Sequence, residues 1–171
     1  YAMGQFVVAG TRYNEVEFRS ALKNSKSGDW KGIFISGEMP SEIRNAVISE
    51  ATTGIVVENG KLNILSTQVD STSSRGIYAK NSQLSISNSK FIRNKGAALH
   101  IDSYSKAEIN NTKFKDNKVA LYNAPLAITS VSGSSLTNNT YGILNMGNSH
   151  ISFNNTKVND NKVGVSSEDV L

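Results

Sequence analysis

The sequence predicts an all-β protein, a parallel β-solenoid of about seven coils with about 22 residues per coil. Three observations carry this. Stepping by 22 from Ile33 meets Ile55, Ile77, Leu99, Leu121, Ile143 and Val165, all aliphatic and without a gap. The residue before each is tiny: Gly32, Gly54, Gly76, Ala98, Ala120, Gly142 and Gly164. Within each period the apolar residues fall at i, i+2, the mark of strands, and not at the i, i+3, i+4 spacing of helices.

Composition agrees. The chain has 171 residues, the size of one domain. Only 38% of them are hydrophobic, so the core is thin, as in an elongated rod with many turns. Aliphatic columns at fixed spacing argue against disorder. The net charge of +4 comes without a long basic run, which argues against a nucleic-acid partner. The absence of cysteine excludes disulfides, zinc–thiolate sites and thiol catalysis. No apolar run approaches the roughly 18–20 residues of a membrane-spanning helix, and no signal peptide is visible.

Residues 1–29 read as lead-in strands and a loop, with Tyr1–Gly4 resembling a tag remnant. Phe6 to Thr11 is a strand and turn. Glu15 to Ser20 alternates as a second strand, with a rival reading as a short helix capped by Asn14 and Glu17. Lys23 to Asp29 is a polar loop. Residues 30–171 are the repeats. Because the pattern runs up to both limits of the sequence, the chain is expected to be a piece of a longer protein.

Each repeat holds three apolar stations. The first is the strand after the tiny residue, such as Ile55/Val57. The second carries Ile43, Ile64, Ile86, Ile109, Val131 and Phe153, and the third Ile48, Val69, Phe91, Phe114, Leu136 and Val158. The second station slips by one residue in places while the first never does. A longer corner on one side is therefore expected to be offset by a shorter one elsewhere. Three strands and three corners make a triangular coil, and coils stacked about 4.8 Å apart make three parallel sheets.

Before the third station lie Asn45, Ser66, Asn88, Asn111, Gly133 and Asn155, residues suited to a left-handed corner. Their stacked amides are expected to hydrogen-bond from coil to coil. Ala46, Thr67, Ser89, Thr112, Ser134 and Thr156 follow, small enough to point inward. Asn94, Asn117, Asn139 and Asn161 form a second possible ladder.

The Gly-Ile starts, the Asn corners and units such as Leu84-Ser-Ile-Ser-Asn-Ser-Lys-Phe-Ile-Arg-Asn resemble the right-handed parallel β-helix of the pectin-lyase-like superfamily. The resemblance covers about Trp30 to Val165. The run from Val16 to Ile33 also resembles the opening coil of secreted bacterial β-helix proteins. A right-handed coil and a secreted or cell-surface location in a bacterium are what the resemblance implies. Superfamily members include lyases, hydrolases, epimerases, adhesins and phage tailspikes, so it does not select a function. Its lyases hold Ca²⁺ on clustered Asp and use an Arg or Lys base, and its hydrolases use close Asp pairs.

Neither pattern is visible here. Asp102, Asp116 and Asp160 are separate. Glu58 and Asp102 share an outward column about 10 Å apart by coil spacing, with Lys80 between them expected to neutralise both in a surface ion ladder. That does not suit the carboxyl pair of a glycosidase. His100 and Asp102 lie i, i+2 without a nucleophile beside them, and His150 has no suggestive neighbour. Two His, no Cys and scattered Asp support neither a metal nor any other cofactor.

The column after the first aliphatic is Phe34, Val56, Tyr78, His100, Tyr122 and Leu144. Tyr78, His100 and Tyr122 are expected to form an outward aromatic file, flanked by Lys80 and Asp102. A flat file of this kind stacks on sugar rings, packs against a partner, or merely stabilises the sheet by pairing. Lys90, Lys113 and Lys157 make one lysine file and Lys95, Lys118 and Lys162 another. They read as solvated gatekeepers against sideways aggregation, or as a surface for an anionic polymer. The glycosylation patterns at Asn110, Asn138 and Asn154 follow from Asn-rich turns and carry no weight.

The resulting expectation is a non-catalytic structural or interaction module contacting a polysaccharide or cell-surface glycan through Tyr78, His100, Tyr122, Lys80 and Asp102. The alternative is a polysaccharide-active enzyme. Ice or mineral binding is disfavoured because no outward Thr file exists. With no capping helix legible in Glu168 to Leu171, open coil ends are expected to contact another protein chain.

Overall fold

Strands of this sequence cannot bury both ends of an i, i+2 apolar pair alone, and stacking like on like solves this. The structure, a computed structural model, describes residues 1–168. Its 22 strands form three parallel sheets, one of eight strands and two of seven. Every third strand belongs to the same sheet, so the chain winds through the three sheets in turn. We call them the first, second and third sheets in the order the chain visits them.

The columns legible in the sequence are in register. Ile33, Ile55, Ile77, Leu99, Leu121, Ile143 and Val165 pair in succession along the first sheet. Ile43, Ile64, Ile86, Ile109, Val131 and Phe153 do so along the second. Ile48, Val69, Phe91, Phe114, Leu136 and Val158 do so along the third. Apart from Phe153 and Val165 in the last described coil, their side chains fill one continuous core. Within it Phe91 and Phe114 stack with ring centroids 5.0 Å apart and planes 9° apart.

The one-residue slips are absorbed in corners, as expected. From Ala79 to Gln83 the first corner spans four residue steps, and from Ile101 to Lys106 it spans five. The third corner compensates: Phe91 to Leu99 is eight steps and Phe114 to Leu121 is seven. Sheet register is thereby kept, because a one-residue slip would turn a buried face outward.

The winding includes Ala2–Met3, Val7–Ala9 and Val16–Phe18, which pair with Ile35–Ser36, Glu42–Arg44 and Ala46–Ile48. Val16–Phe18 is a strand rather than the turn of helix that Asn14 and Glu17 allow, because Phe18 packs on Phe6 with centroids 6.5 Å apart. Burial decides a segment this short. Trp30 donates its indole N–H to Ser49 O at 2.7 Å.

The corner residues behave as their chemistry dictates, with one correction. Asn45, Ser66, Asn88, Asn111, Gly133 and Asn155 all have φ between 47° and 58°. Their amides do not form the expected ladder. A left-handed corner turns its own side chain outward, and Asn88, Asn111 and Asn155 are exposed. The inward position is the next residue, where hydroxyls link the coils. Thr67 N–H donates to Ser89 Oγ, Ser89 N–H to Thr112 Oγ1, and Thr112 N–H to Ser134 Oγ.

The amide ladder lies at the third corner. Asn94 Nδ2 donates to Asn117 Oδ1 at 2.8 Å, Asn117 Nδ2 to Asn139 Oδ1 at 3.0 Å, and Asn139 Nδ2 to Asn161 Oδ1 at 2.9 Å. Each amide also reaches a backbone carbonyl of a neighbouring coil, as Asn117 Nδ2 does to Phe91 O at 3.0 Å. Buried polar groups satisfied this way hold the coils together.

Towards the C-terminal coils the core turns polar. The column Val57, Ala79, Ile101 continues as Asn123. Asn123 is fully buried and its Oδ1 accepts from Thr129 Oγ1 at 2.7 Å. In the last described coil, Phe153 and Val165 of the core columns are exposed. The expectation about Asp169 to Leu171 lies outside the described residues.

Candidate binding site on the eight-stranded sheet

The strands Arg75–Lys80, Ala97–Ile101, Val119–Asn123 and Tyr141–Met146 set the outer face of the first sheet. Register places Tyr78, His100, Tyr122 and Leu144 on successive strands. The aromatic file is therefore real, but it is not flat. Tyr78 and His100 meet edge to face, with centroids 5.0 Å apart and planes 89° apart. His100 and Tyr122 are tilted by 36° with centroids 4.4 Å apart. The Arg75 guanidinium lies over the Tyr78 ring, 4.9 Å from its centroid. Tyr78 thus spends one face within the protein.

Two polar contacts lock the file. Arg75 Nε–H donates to His100 Nδ1 at 3.1 Å. The next coil carries only Ala97 at the position of Arg75, which leaves room for this reach. The Tyr78 hydroxyl donates to Asp102 Oδ2 at 2.5 Å, and Ser103 N–H donates to Asp102 Oδ1 at 2.9 Å. The expected ion ladder of Glu58, Lys80 and Asp102 is absent: none of the three is in an ion pair among the described residues. The short Tyr hydroxyl contact gives Asp102 a better-placed partner than a flexible, exposed lysine does.

The ionisation of the cluster follows. Burial, then the neighbouring Arg75 charge, pushes the His100 imidazole down to about 4. Burial and the hydrogen bond to Asp102 push the Tyr78 hydroxyl up to about 12. Partial burial raises the Asp102 carboxyl, but the Tyr78 hydroxyl, Ser103 N–H, His100 and Lys80 outweigh it and hold it below its ordinary value. Near neutral pH the imidazole is neutral, the phenol protonated and the carboxyl ionised. None of the three is poised near 7 as a general base should be.

A pH dependence follows. The folded-state value of His100 lies below its ordinary 6.5, so the unfolded chain binds more protons between 6.5 and about 4. Its contribution to stability is fully present above 6.5 and is lost as pH falls through that window. The imidazole should titrate near 4 by NMR, and Arg75→Met should move the midpoint upward. A midpoint near 6.5 in the unaltered protein would refute the contact.

Beside the file lies a concavity of about 600 Å³. Arg75, His100, Tyr122, Tyr141, Leu144 and Lys118 are among the residues that wall it. Structure therefore brings His100 and Tyr122 into this recess, ties Tyr78 and Asp102 together beside it, and leaves Lys80 outside. Arg75 and Tyr141 were not legible in the sequence as site residues. Period-2 alternation breaks at the tiny residue, where Gly76 and Ile77 are both buried. The position two before the aliphatic, occupied by Arg75 and Tyr141, consequently does not follow the alternation into the core. Among the described residues, no group of three or more His, Asp or Glu side chains is placed to hold a metal ion.

Comparisons with known proteins concern the fold. No curated protein matches the chain. A solved structure of QnrB1, described as a plasmid-mediated fluoroquinolone resistance protein, aligns over 91% of this chain and 90% of its own. Its identity of 11% and TM-score of 0.22 are too low to carry any argument. A family model described as a right-handed β-helix region matches residues 53–170. With its stacked three-sheet coils and this match over more than half its length, the chain belongs to the right-handed β-helix family.

Proposed function

We propose that this protein is a non-catalytic module that binds a polysaccharide or cell-surface glycan on the outer face of its eight-stranded sheet. The carrying observation is the concavity walled by Tyr122, Tyr141, His100 and Arg75. Two phenol rings offer apolar faces to a pyranose, and Arg75 and the neutral imidazole offer hydrogen bonds to its substituents. Compared with the sequence expectation, the contact moves toward Tyr122 and Tyr141. Tyr78 and Asp102 become supports that hold the file in place, and Lys80 drops out. The resemblance to secreted bacterial β-helix proteins supports a location outside the cell.

The enzyme reading has less behind it. Among the described residues that wall the recess, Glu168 alone carries a carboxylate, so the recess itself holds no carboxyl pair. Asp102 beside it is held below its ordinary range and engaged by two donors. The test is retention on immobilised neutral and acidic polysaccharides, with assay of released ends. Unaltered protein should be retained without forming products, and Tyr122→Ala and Tyr141→Ala should each weaken retention about tenfold. New reducing or unsaturated ends would overturn the non-catalytic reading. No retention on any polymer would overturn glycan contact.

A further inference from the structure

The corner between the first and second sheets changes character along the rod. In two coils it is turned by Asn59 and Asn81 in the left-handed region, φ 51° and 47°. Asn81 Nδ2 donates to Asn59 Oδ1 at 2.8 Å. In the next two coils the corner is longer, and the left-handed residues are Tyr104 at φ 62° and Leu126 at φ 66°. A bulky side chain is disfavoured there, because its Cβ crowds a carbonyl oxygen. Tyr104 is 72% exposed, so little burial offsets that cost. Strained residues of this kind concentrate at binding sites.

The loop that presents Tyr104 is held firmly. Asp102 Oδ1 accepts from Ser103 N–H, Asp102 O accepts from Ser105 N–H at 3.0 Å, and Ser105 Oγ donates to Ala79 O at 3.2 Å. Beside the phenol is a recess of about 440 Å³, walled by Glu38, Asn59, Lys61, Gln83 and Lys106. Register puts Lys61, Gln83 and Lys106 on three successive strands, a file of cation, amide and cation. A second recess of about 390 Å³ shares those three residues and carries the hollow onto the second sheet. Neither lysine nor Glu38 is in an ion pair among the described residues.

We propose that Tyr104 and this recess form a second saccharide-binding site, separate from the concavity on the eight-stranded sheet. One pyranose ring lies with its C–H face on the Tyr104 phenol. Its hydroxyls reach the Asn59 and Gln83 amides, the Lys61 and Lys106 ammonium groups and the Glu38 carboxylate. A rigid aromatic plane ringed by closely spaced donors and acceptors matches a polyhydroxylated ring, which is apolar on one face and polar at its edge. This site does not depend on the reading of the first.

The test is ¹H–¹⁵N NMR of the full chain with millimolar cellohexaose, mannohexaose or chitohexaose. With at least one of them, the side-chain amide signals of Asn59 and Gln83 should move saturably while that of buried Asn123 stays. Tyr104→Asn installs the residue this corner uses in preceding coils. It should weaken binding at least about tenfold while raising the unfolding midpoint. Gln83→Ala, on an exposed strand position, should weaken binding too. Tyr122→Ala/Tyr141→Ala should leave these shifts unchanged, so the two sites fail separately. The proposal is overturned if none of the three sugars gives saturable shifts, if Tyr104→Asn binds as well as the unaltered protein, or if the shifts vanish in Tyr122→Ala/Tyr141→Ala.

Discussion

Asn117→Ala should lower the stability of the fold by about 3–5 kcal/mol, the sum of several buried groups left without partners. Asn117 is 3% exposed and makes four bonds with one amide. Its Oδ1 accepts from the Asn94 N–H at 3.0 Å and Asn94 Nδ2 at 2.8 Å. Its Nδ2 donates to Phe91 O and to Asn139 Oδ1, both at 3.0 Å. Alanine removes all four and leaves the Asn94 N–H, Asn94 Nδ2, Phe91 O and Asn139 Oδ1 without this partner. Asn161→Ala, at the more exposed end of the same ladder, should cost about half as much, because solvent reaches its partners. Urea unfolding at unchanged m separates the two. Equal losses would show that burial of the ladder is not what matters.

Phe114→Ala should cost a similar amount, about 3–5 kcal/mol. Phe114 is fully buried and stacked on Phe91 in the coil before it. Coil spacing is set by backbone hydrogen bonds between strands, so neighbouring coils cannot close over the vacated volume. The cavity therefore stays open, which puts the loss at the high end for such a truncation. Phe114→Leu should cost under about 1.5 kcal/mol, because the same column already holds Leu136, Val69 and Ile48. Thermal and urea unfolding read both variants. A leucine variant as unstable as the alanine one would mean that ring stacking, rather than filled volume, holds this column.

Both residues stood out in the sequence, for different reasons. Phe114 belongs to an apolar column whose spacing is visible by counting. Asn117 belongs to a polar column whose direction is not. Two Asn columns looked equally suited to a ladder, and only one points inward. The outward column begins each third-station strand with a left-handed residue, and that backbone turns its side chain to solvent. The residue after it faces in and, except at Ala46, carries a hydroxyl. At the third corner the left-handed residue is Arg93, Asp116 or Asn138, and the inward residue after it is the asparagine. Handedness of a single residue thus decides which amide is buried.

The candidate site was legible to a similar depth. Tyr78, His100 and Tyr122 were placed on one outer face by the same counting. The sequence did not reveal that the rings cross each other, that Arg75 reaches into the next coil, or that Asp102 takes a phenol rather than a lysine as partner. These contacts depend on side-chain direction and on what the neighbouring coil leaves vacant, as Ala97 does for Arg75.

By itself, then, the sequence determined the all-β class, the 22-residue period, the three stations and the registers, because each repeats at a fixed distance along the chain and stacking demands that like meet like. Only the tertiary structure decided which asparagines form the ladder, which aromatic rings remain open to a ligand, and how Tyr104 comes to stand out from its corner. Those outcomes turn on single-residue changes in corner length and on left-handed backbone positions, which leave the repeat intact while redirecting individual side chains.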